Sequence, residues 1–178
     1  ITGIGQGYIQ TTPIQLCLMT AQIANGGHKI YPKIILDNNN INEDKFMSLV
    51  NNNSNIKIVQ DAMFSSTNEI RGTSYRSRID DPKYQFAGKT GTAQVKKITK
   101  RDRELDLETS EIPYEERDHA IYIAFGPFKN PRYAVSILVE HGGSGSSVAA
   151  PLAKTLFKKI IDRHELRKNF ELNKYLNI

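Results

Sequence analysis

The chain has 178 residues, and 24 Lys and Arg against 19 Asp and Glu give it a formal net charge of +5. That length suits one domain of ordinary size with a real core, and the basic excess is too scattered to form the footprint of a nucleic-acid-binding protein. A single cysteine, Cys17, excludes an internal disulfide or a cysteine-built metal cluster, and no apolar run reaches the roughly 18 residues of a membrane-spanning helix.

Residues 1–8 are a glycine-rich lead-in without an initiator methionine. This leads us to expect that the sequence was cut from a longer protein and that any membrane anchor lies outside it. Thr12-Pro13-Ile14-Gln15 reads as a helix start, with Thr12 as N-cap, Pro13 in the first helical position and Gln15 closing a capping box. The helix is expected to run to about Asn25, with Leu16, Met19, Thr20 and Ile23 at helical spacing beside Cys17, Ala21 and Ala24, and to stop at Asn25-Gly26-Gly27.

Ile30 to Leu36 is a β-branched run interrupted by Pro32, hence an expected edge strand. Asn38-Asn39-Asn40 and Asn51-Asn52-Asn53 read as loop. Ser54 is expected to cap a second helix through about Asn68, with Ile58, Val59, Ala62 and Met63 on its apolar side and Gly72 ending the unit.

Phe86 to Val95, FAGKTGTAQV, reads as a strand with polar residues where a sheet interior would be apolar. Residues 96–118 are dense in charge and lack a steady period, and they are expected to form an inserted loop with at most a partial helix. His119 to Phe125 and Tyr133 to Glu140 are apolar at nearly every position, the pattern of central strands covered on both faces.

A last helix follows Gly142-Gly143-Ser144-Gly145-Ser146, with Pro151 in its first turn. Its stripe of Leu152, Leu156, Phe157, Ile160 and Ile161 is expected to pack on the sheet, with Lys154, Lys158, Lys159 and Arg163 facing away. The fold class is α+β: a mainly antiparallel sheet covered by helices.

Strict alternation puts Thr90 and Thr92 on one side of the polar strand and Lys89 and Gly91 on the other. Both sets can serve one cleft only at a sheet edge, where unpaired backbone groups can add an extended peptide as a further strand. There the two threonine hydroxyls can bind a carboxylate, Lys89 adds charge, Gly91 removes a colliding side chain, and the Thr92 N–H can face a developing oxyanion. The plainer alternative is a polar edge strand whose lysine guards against aggregation.

Lys89-Thr90-Gly91-Thr92 resembles the third motif of the serine acyltransferases that react with penicillin. GIGQGYIQTTPIQL, FAGKTGTAQV, RDHAIYIAFGPFKNP and YAVSILVEHGGSGSSVAAPLAKTLFKKII are similar, in order, to segments of the transpeptidase domains of class B penicillin-binding proteins. The charged insertion before Arg117-Asp118-His119 is most similar to the elongation-specific branch.

The resemblance implies that residues 1–178 are the C-terminal part of the transpeptidase domain of a peptidoglycan D,D-transpeptidase. Such an enzyme cross-links stem peptides through a serine acyl-enzyme, is inhibited by β-lactams and uses no cofactor. It also implies an intact protein anchored in the bacterial inner membrane, with this domain in the periplasm beside a glycan-polymerising partner of the elongation machinery.

By position, Lys89 matches the motif lysine of the active-site hydrogen-bond network, Thr90 and Thr92 the carboxylate-binding positions, and Gly91 the open strand edge. The Thr92 N–H matches one of two oxyanion donors. A β-lactamase or β-lactam-sensing domain shares the motif, but the insertion and the Gly-Gln-Gly lead-in argue against both; a non-catalytic peptide-binding fragment is the alternative outside catalysis.

The family's serine nucleophile motif has no well-placed match. Ser54-Asn55-Ile56-Lys57 and Ser66-Thr67-Asn68 fit S-x-x-K and S-x-N in form, but Ser54 is 12 residues before Ser66 and 35 before Lys89, much tighter than the family's spacing. Ser54 is therefore read as an N-cap and Lys57 as a solvated helix residue, so the chain alone is expected to be inactive. His119 and His141 sit at strand ends and are expected to be structural or exposed, and Asp80-Asp81 and Glu115-Glu116 to be solvated turns.

Overall fold

In the computed structural model of the chain, residues 3, 8–34, 47–96 and 107–176 are described, those after Asn169 by backbone alone. Helix α1 (Pro13–Ala24) forms where its capping box directs it: Gln15 N–H donates to Thr12 Oγ1 and Thr12 N–H to Gln15 Oε1. Helix α2 (Asn53–Asn68) begins two residues earlier than a Ser54 cap requires. The cap is Asn52, whose side-chain oxygen accepts from Ser54 N–H at 2.9 Å, leaving Ser54 inside the first turn. An asparagine oxygen caps as well as a serine's.

Strands β1 (Ala87–Ala93), β2 (His119–Gly126) and β3 (Tyr133–Val139) form an antiparallel sheet in that order, and helix α3 (Ala150–Leu176) closes the chain after a π-helical turn over Gly145–Ala149. The register is unbroken, from Ala87 opposite Phe125 to Ala93 opposite His119, and from Ala120 opposite Val139 to Gly126 opposite Tyr133. Alternation along these strands sorts the core into two layers.

On one face Phe86, Ala120, Tyr122 and Ala124 pack with Ile79 and with Ala149, Ala150, Ala153, Phe157 and Ile161 of the C-terminal helical stretch. On the other, Ala87 and Phe125 pack with Met63 of α2 and with Ile23 and Ala24 of α1. The α+β architecture expected from the sequence is therefore present.

Four expectations are corrected. Residues 30–34 are not a strand; among the described residues only the bridge between His28 and Ser48 pairs there, and Pro32 lacks the N–H to extend it. Leu36 and Asn38 to Asn40 lie outside the described residues. Among the described residues strand β3 is an edge of the sheet rather than a central strand, although α1 covers one of its faces. Of the expected stripe of helix α3, Phe157 and Ile161 are buried, together with Ala150 and Ala153, while Leu152 and Leu156 are exposed at 49% and 37%. Helix α2 buries Met63 and Thr67, and Ile58 and Val59 face outward.

The layers are tied together by Tyr122. Its side chain is fully buried, and its hydroxyl bonds Thr67 Oγ1 at 2.9 Å and Ser74 Oγ at 3.0 Å, joining the middle strand to α2 and the loop after it. Burial pushes the phenol's pKa up, against the smaller opposing pull of those two hydrogen bonds. The ring needs Gly88: a Cβ there would lie 2.2 Å from the Tyr122 hydroxyl oxygen. Gly145 has a like role against backbone, since a Cβ there would meet Ile121 O at 2.4 Å and Gly91 O at 2.5 Å.

Tyr122→Phe leaves two buried hydroxyls short of a partner and is expected to cost about 1–3 kcal/mol, seen as a fall of several degrees in Tm for a chain of this size. Gly145→Ala, which sets a methyl group against backbone that cannot rotate away, is expected to be at least as damaging in the same melt. An unchanged Tm in either variant would contradict this packing.

Candidate functional site

Among the described residues strand β1 pairs only with β2, which leaves its other edge without a partner strand there. The direction of its backbone groups follows from the ladder. Gln85 O accepts from Phe128 N–H on the β2 side, whereas Phe86 O accepts from the Asn68 side-chain amide on the other. In an unbroken antiparallel ladder this alternation continues, which puts the N–H and C=O groups of Gly88, Thr90 and Thr92 on the side away from β2.

The motif residues are accessible: Lys89 and Thr92 are exposed, and Thr90 and Gly91 are partly so. The Lys89 ammonium lies along its own strand, 2.9 Å from Thr90 O and 3.4 Å from Thr90 Oγ1. Gly91 differs from its neighbours Gly88 and Gly145. A Cβ at Gly91 would meet Ile121 at 3.4 Å, ordinary van der Waals contact, so packing within the described residues does not demand a glycine there. A bare backbone on an accessible edge suits a ligand that approaches closely.

Beside the motif, Thr90 Oγ1 lies 3.2 Å from Thr73 Oγ1, which lies 3.2 Å from Ser66 Oγ. Sequence reading missed Thr73; its only signal is that it follows Gly72, where a Cβ would clash with Ser66 O at 2.3 Å and which therefore sets the loop tight against α2. At the far end of β1, Val95 N–H donates to Asp118 and Lys96 pairs with Glu116 at 2.8 Å. His141 N–H donates to His119 Nδ1 at 2.9 Å, so both histidines are engaged in joining strand ends. Residues 97–106 of the expected insertion lie outside the described residues.

The formal nucleophile matches do not assemble. Lys57 turns to Asp61 at 2.8 Å rather than to Ser54. Ser54 lies about 20 Å along α2 from Asn68, which meets the strand, at 1.5 Å rise per residue. Thr67 and Asn68 serve structure, bonding Tyr122 and Phe86 O respectively.

Among the described residues no group of His, Cys, Asp and Glu is placed to hold a metal ion, and no helix is long and apolar enough to cross a membrane. A pocket of about 130 Å³, lined in part by Lys83, Arg132, Tyr133 and His164, lies between the β2–β3 turn and α3 rather than beside the motif.

Comparison with known proteins gives this edge a context. Residues 1–160 match the family described as the penicillin-binding protein transpeptidase domain. The peptidoglycan D,D-transpeptidase MrdA of Salmonella typhimurium is 32% identical over 173 residues, 90% of this chain and 26% of that protein. MrdA of Haemophilus influenzae is 31% identical over 180 residues, 97% of this chain and 26% of that protein.

Among solved structures, penicillin-binding protein 2 of Helicobacter pylori in complex with MreC aligns with a TM-score of 0.73 at 31% identity, over 90% of this chain and 26% of that one. Penicillin-binding protein 2 of Pseudomonas aeruginosa in complex with WCK 5153 aligns with a TM-score of 0.64 at 37% identity, over 85% of this chain and 31% of that one. The chain thus spans about a quarter of the length of the curated relatives it matches. With the polar motif on an open edge, the expected sheet and helices in place and most of its length matched, the chain belongs to the penicillin-binding protein transpeptidase domain family.

Proposed function

We propose that this chain is the substrate-binding part of a peptidoglycan D,D-transpeptidase of the elongation machinery, with the serine nucleophile outside these 178 residues. The observation that carries the reading is the open β1 edge, with Lys89, Thr90 and Thr92 around a glycine that packing does not require. A stem peptide ending in D-Ala-D-Ala adds alongside β1 as an extended strand. Thr90 and Thr92 hold its terminal carboxylate and Lys89 supplies positive charge to the active-site network.

The serine oxygen bonds to the penultimate carbonyl carbon, and the C–N bond to the last D-alanine breaks, releasing that residue with its amine protonated. An amine of a neighbouring stem peptide then attacks the ester, forms the cross-link and frees the serine. The Thr92 N–H, directed away from β2, donates to the oxyanion in both steps. A β-lactam enters as a mimic and stays on the serine.

The intact protein is anchored in the inner membrane, with this domain in the periplasm beside a glycan-polymerising partner. The names of the MrdA relatives support the reaction, and the complex of the Helicobacter pylori protein with MreC supports work within an assembly.

Intact-mass spectrometry after incubation with a reactive penicillin tests this. The 178-residue chain is expected to remain unlabelled, and the full-length protein to gain one acyl adduct; an adduct on the short chain that disappears in Ser54→Ala would overturn the proposal. Gly91→Ala in the full-length protein is expected to keep its Tm within about 1 °C, as a substitution without a clash should, while slowing acylation at least tenfold. Acylation at the normal rate would mean that the edge does not hold the ligand.

A further inference from the structure

Three hydroxyls stand in a row from α2 to the motif strand: Ser66, Thr73 and Thr90, with 3.2 Å between successive oxygens. Thr73 is held by its neighbours' backbone. Gly72 N–H donates to Glu69 O at 2.8 Å, and the N–H and hydroxyl of Ser74 both donate to Ser66 O at 3.0 Å. Ser74 is in turn fastened to the buried Tyr122 phenol at 3.0 Å. The Thr73 hydroxyl therefore meets the strand from a fixed platform, the condition for orienting another group.

A threonine hydroxyl has one proton to donate and two lone pairs. At Thr90 the Lys89 ammonium, which can only donate, lies 3.4 Å from Oγ1 and takes one lone pair. Once Thr73 donates to the other, the single proton of Thr90 is left to point off the strand. With Ser66 donating to Thr73 in its turn, each hydroxyl would pass its proton toward the open edge. Such a chain polarises in one direction and ends on a donor suited to an anion.

We propose that Thr73 is a positioning residue for the motif: it fixes the Thr90 hydroxyl as a proton donor toward the terminal carboxylate of the substrate, with Ser66 supporting it from α2. This rests on the reading of Thr90 as a carboxylate contact given above. Thr73 touches no reacting atom in this scheme. It acts through Thr90, and its effect is confined to ligands that carry the carboxylate.

The test compares acylation of the full-length protein by a penicillin and by the methyl ester of the same penicillin, in which the carboxylate is masked. Thr73→Val keeps the β-branched shape without the hydroxyl. It is expected to slow acylation by the free acid about tenfold, the scale of one misdirected hydrogen bond, and to leave the ester rate within about twofold, so that the preference for the acid falls about tenfold. Thr73→Ser is expected to restore it.

Thr90→Val separates the two readings. If it leaves the preference for the acid unchanged, Thr90 does not bind the carboxylate and the inference falls with that assignment. If it lowers the preference while Thr73→Val does not, the role of Thr73 alone is overturned. Equal slowing of acid and ester by Thr73→Val also overturns it, since a general distortion of the strand acts on both. Should Thr73→Val fail to fold, Ser66→Ala removes the supporting donor at a partly exposed position; a preference unchanged in that variant overturns the proposal.

Discussion

The phenol of Tyr122 leaves the middle strand, lies against the bare backbone of Gly88 and finds its two hydrogen-bond partners on α2 and on the loop that follows it. A buried hydroxyl without partners costs about 1–3 kcal/mol, so Thr67 and Ser74 must come to it, and with them the end of α2 and the turn at Gly72. That turn delivers Thr73 to the side of Thr90. The edge strand thus receives its polar surroundings as a consequence of satisfying a group in the core. Core packing and site geometry are here one constraint met from two sides.

The glycines near the strand make the same point by contrast. Gly88 is bare because a tyrosine oxygen occupies the place of its Cβ, and Gly145 because the π-helical turn lies directly on the backbone of β1 and β2. Gly91 has no such neighbour. In the sequence all three are the same letter; only the surroundings divide glycines that the fold requires from one it merely permits. A permitted glycine on an accessible edge, flanked by a cation and two hydroxyls, is where a bound chain can lie closest to the backbone.

Local signals carried well into the structure, and tertiary ones did not. The capping box at Thr12 to Gln15, the apolar runs of β2 and β3 and the polar edge strand were legible because each is written in adjacent residues. The cap of α2 was misplaced by two positions because a run of asparagines offers several equivalent oxygens. The inward face of α3 was legible only in part. Phe157 and Ile161 of the apolar stripe are buried, but next to the π-helical turn, which presses the backbone close to the sheet, the inward positions are Ala150 and Ala153, while Leu152 and Leu156 stay outside. Thr73 was invisible for a related reason: a hydroxyl network joining residues 66, 73 and 90 has no periodicity, and only the folded chain brings its members together.

The position of Lys89 follows from being the sole formal charge in the motif. Its ammonium rests on a carbonyl and a hydroxyl of the next residue, both neutral oxygens, and it makes no ion pair with a described residue. Its bonds to neutral oxygens are already charge-assisted, and an anionic group brought to this edge would add the attraction of opposite charges and compete with the strand for the lysine. Thr90 Oγ1 then loses one donor and depends the more on Thr73 for its direction. On the proposed reading the strand would respond to its ligand in two coupled ways, the cation turning outward and the hydroxyl held in place, and the residue that makes the second possible lies outside the motif.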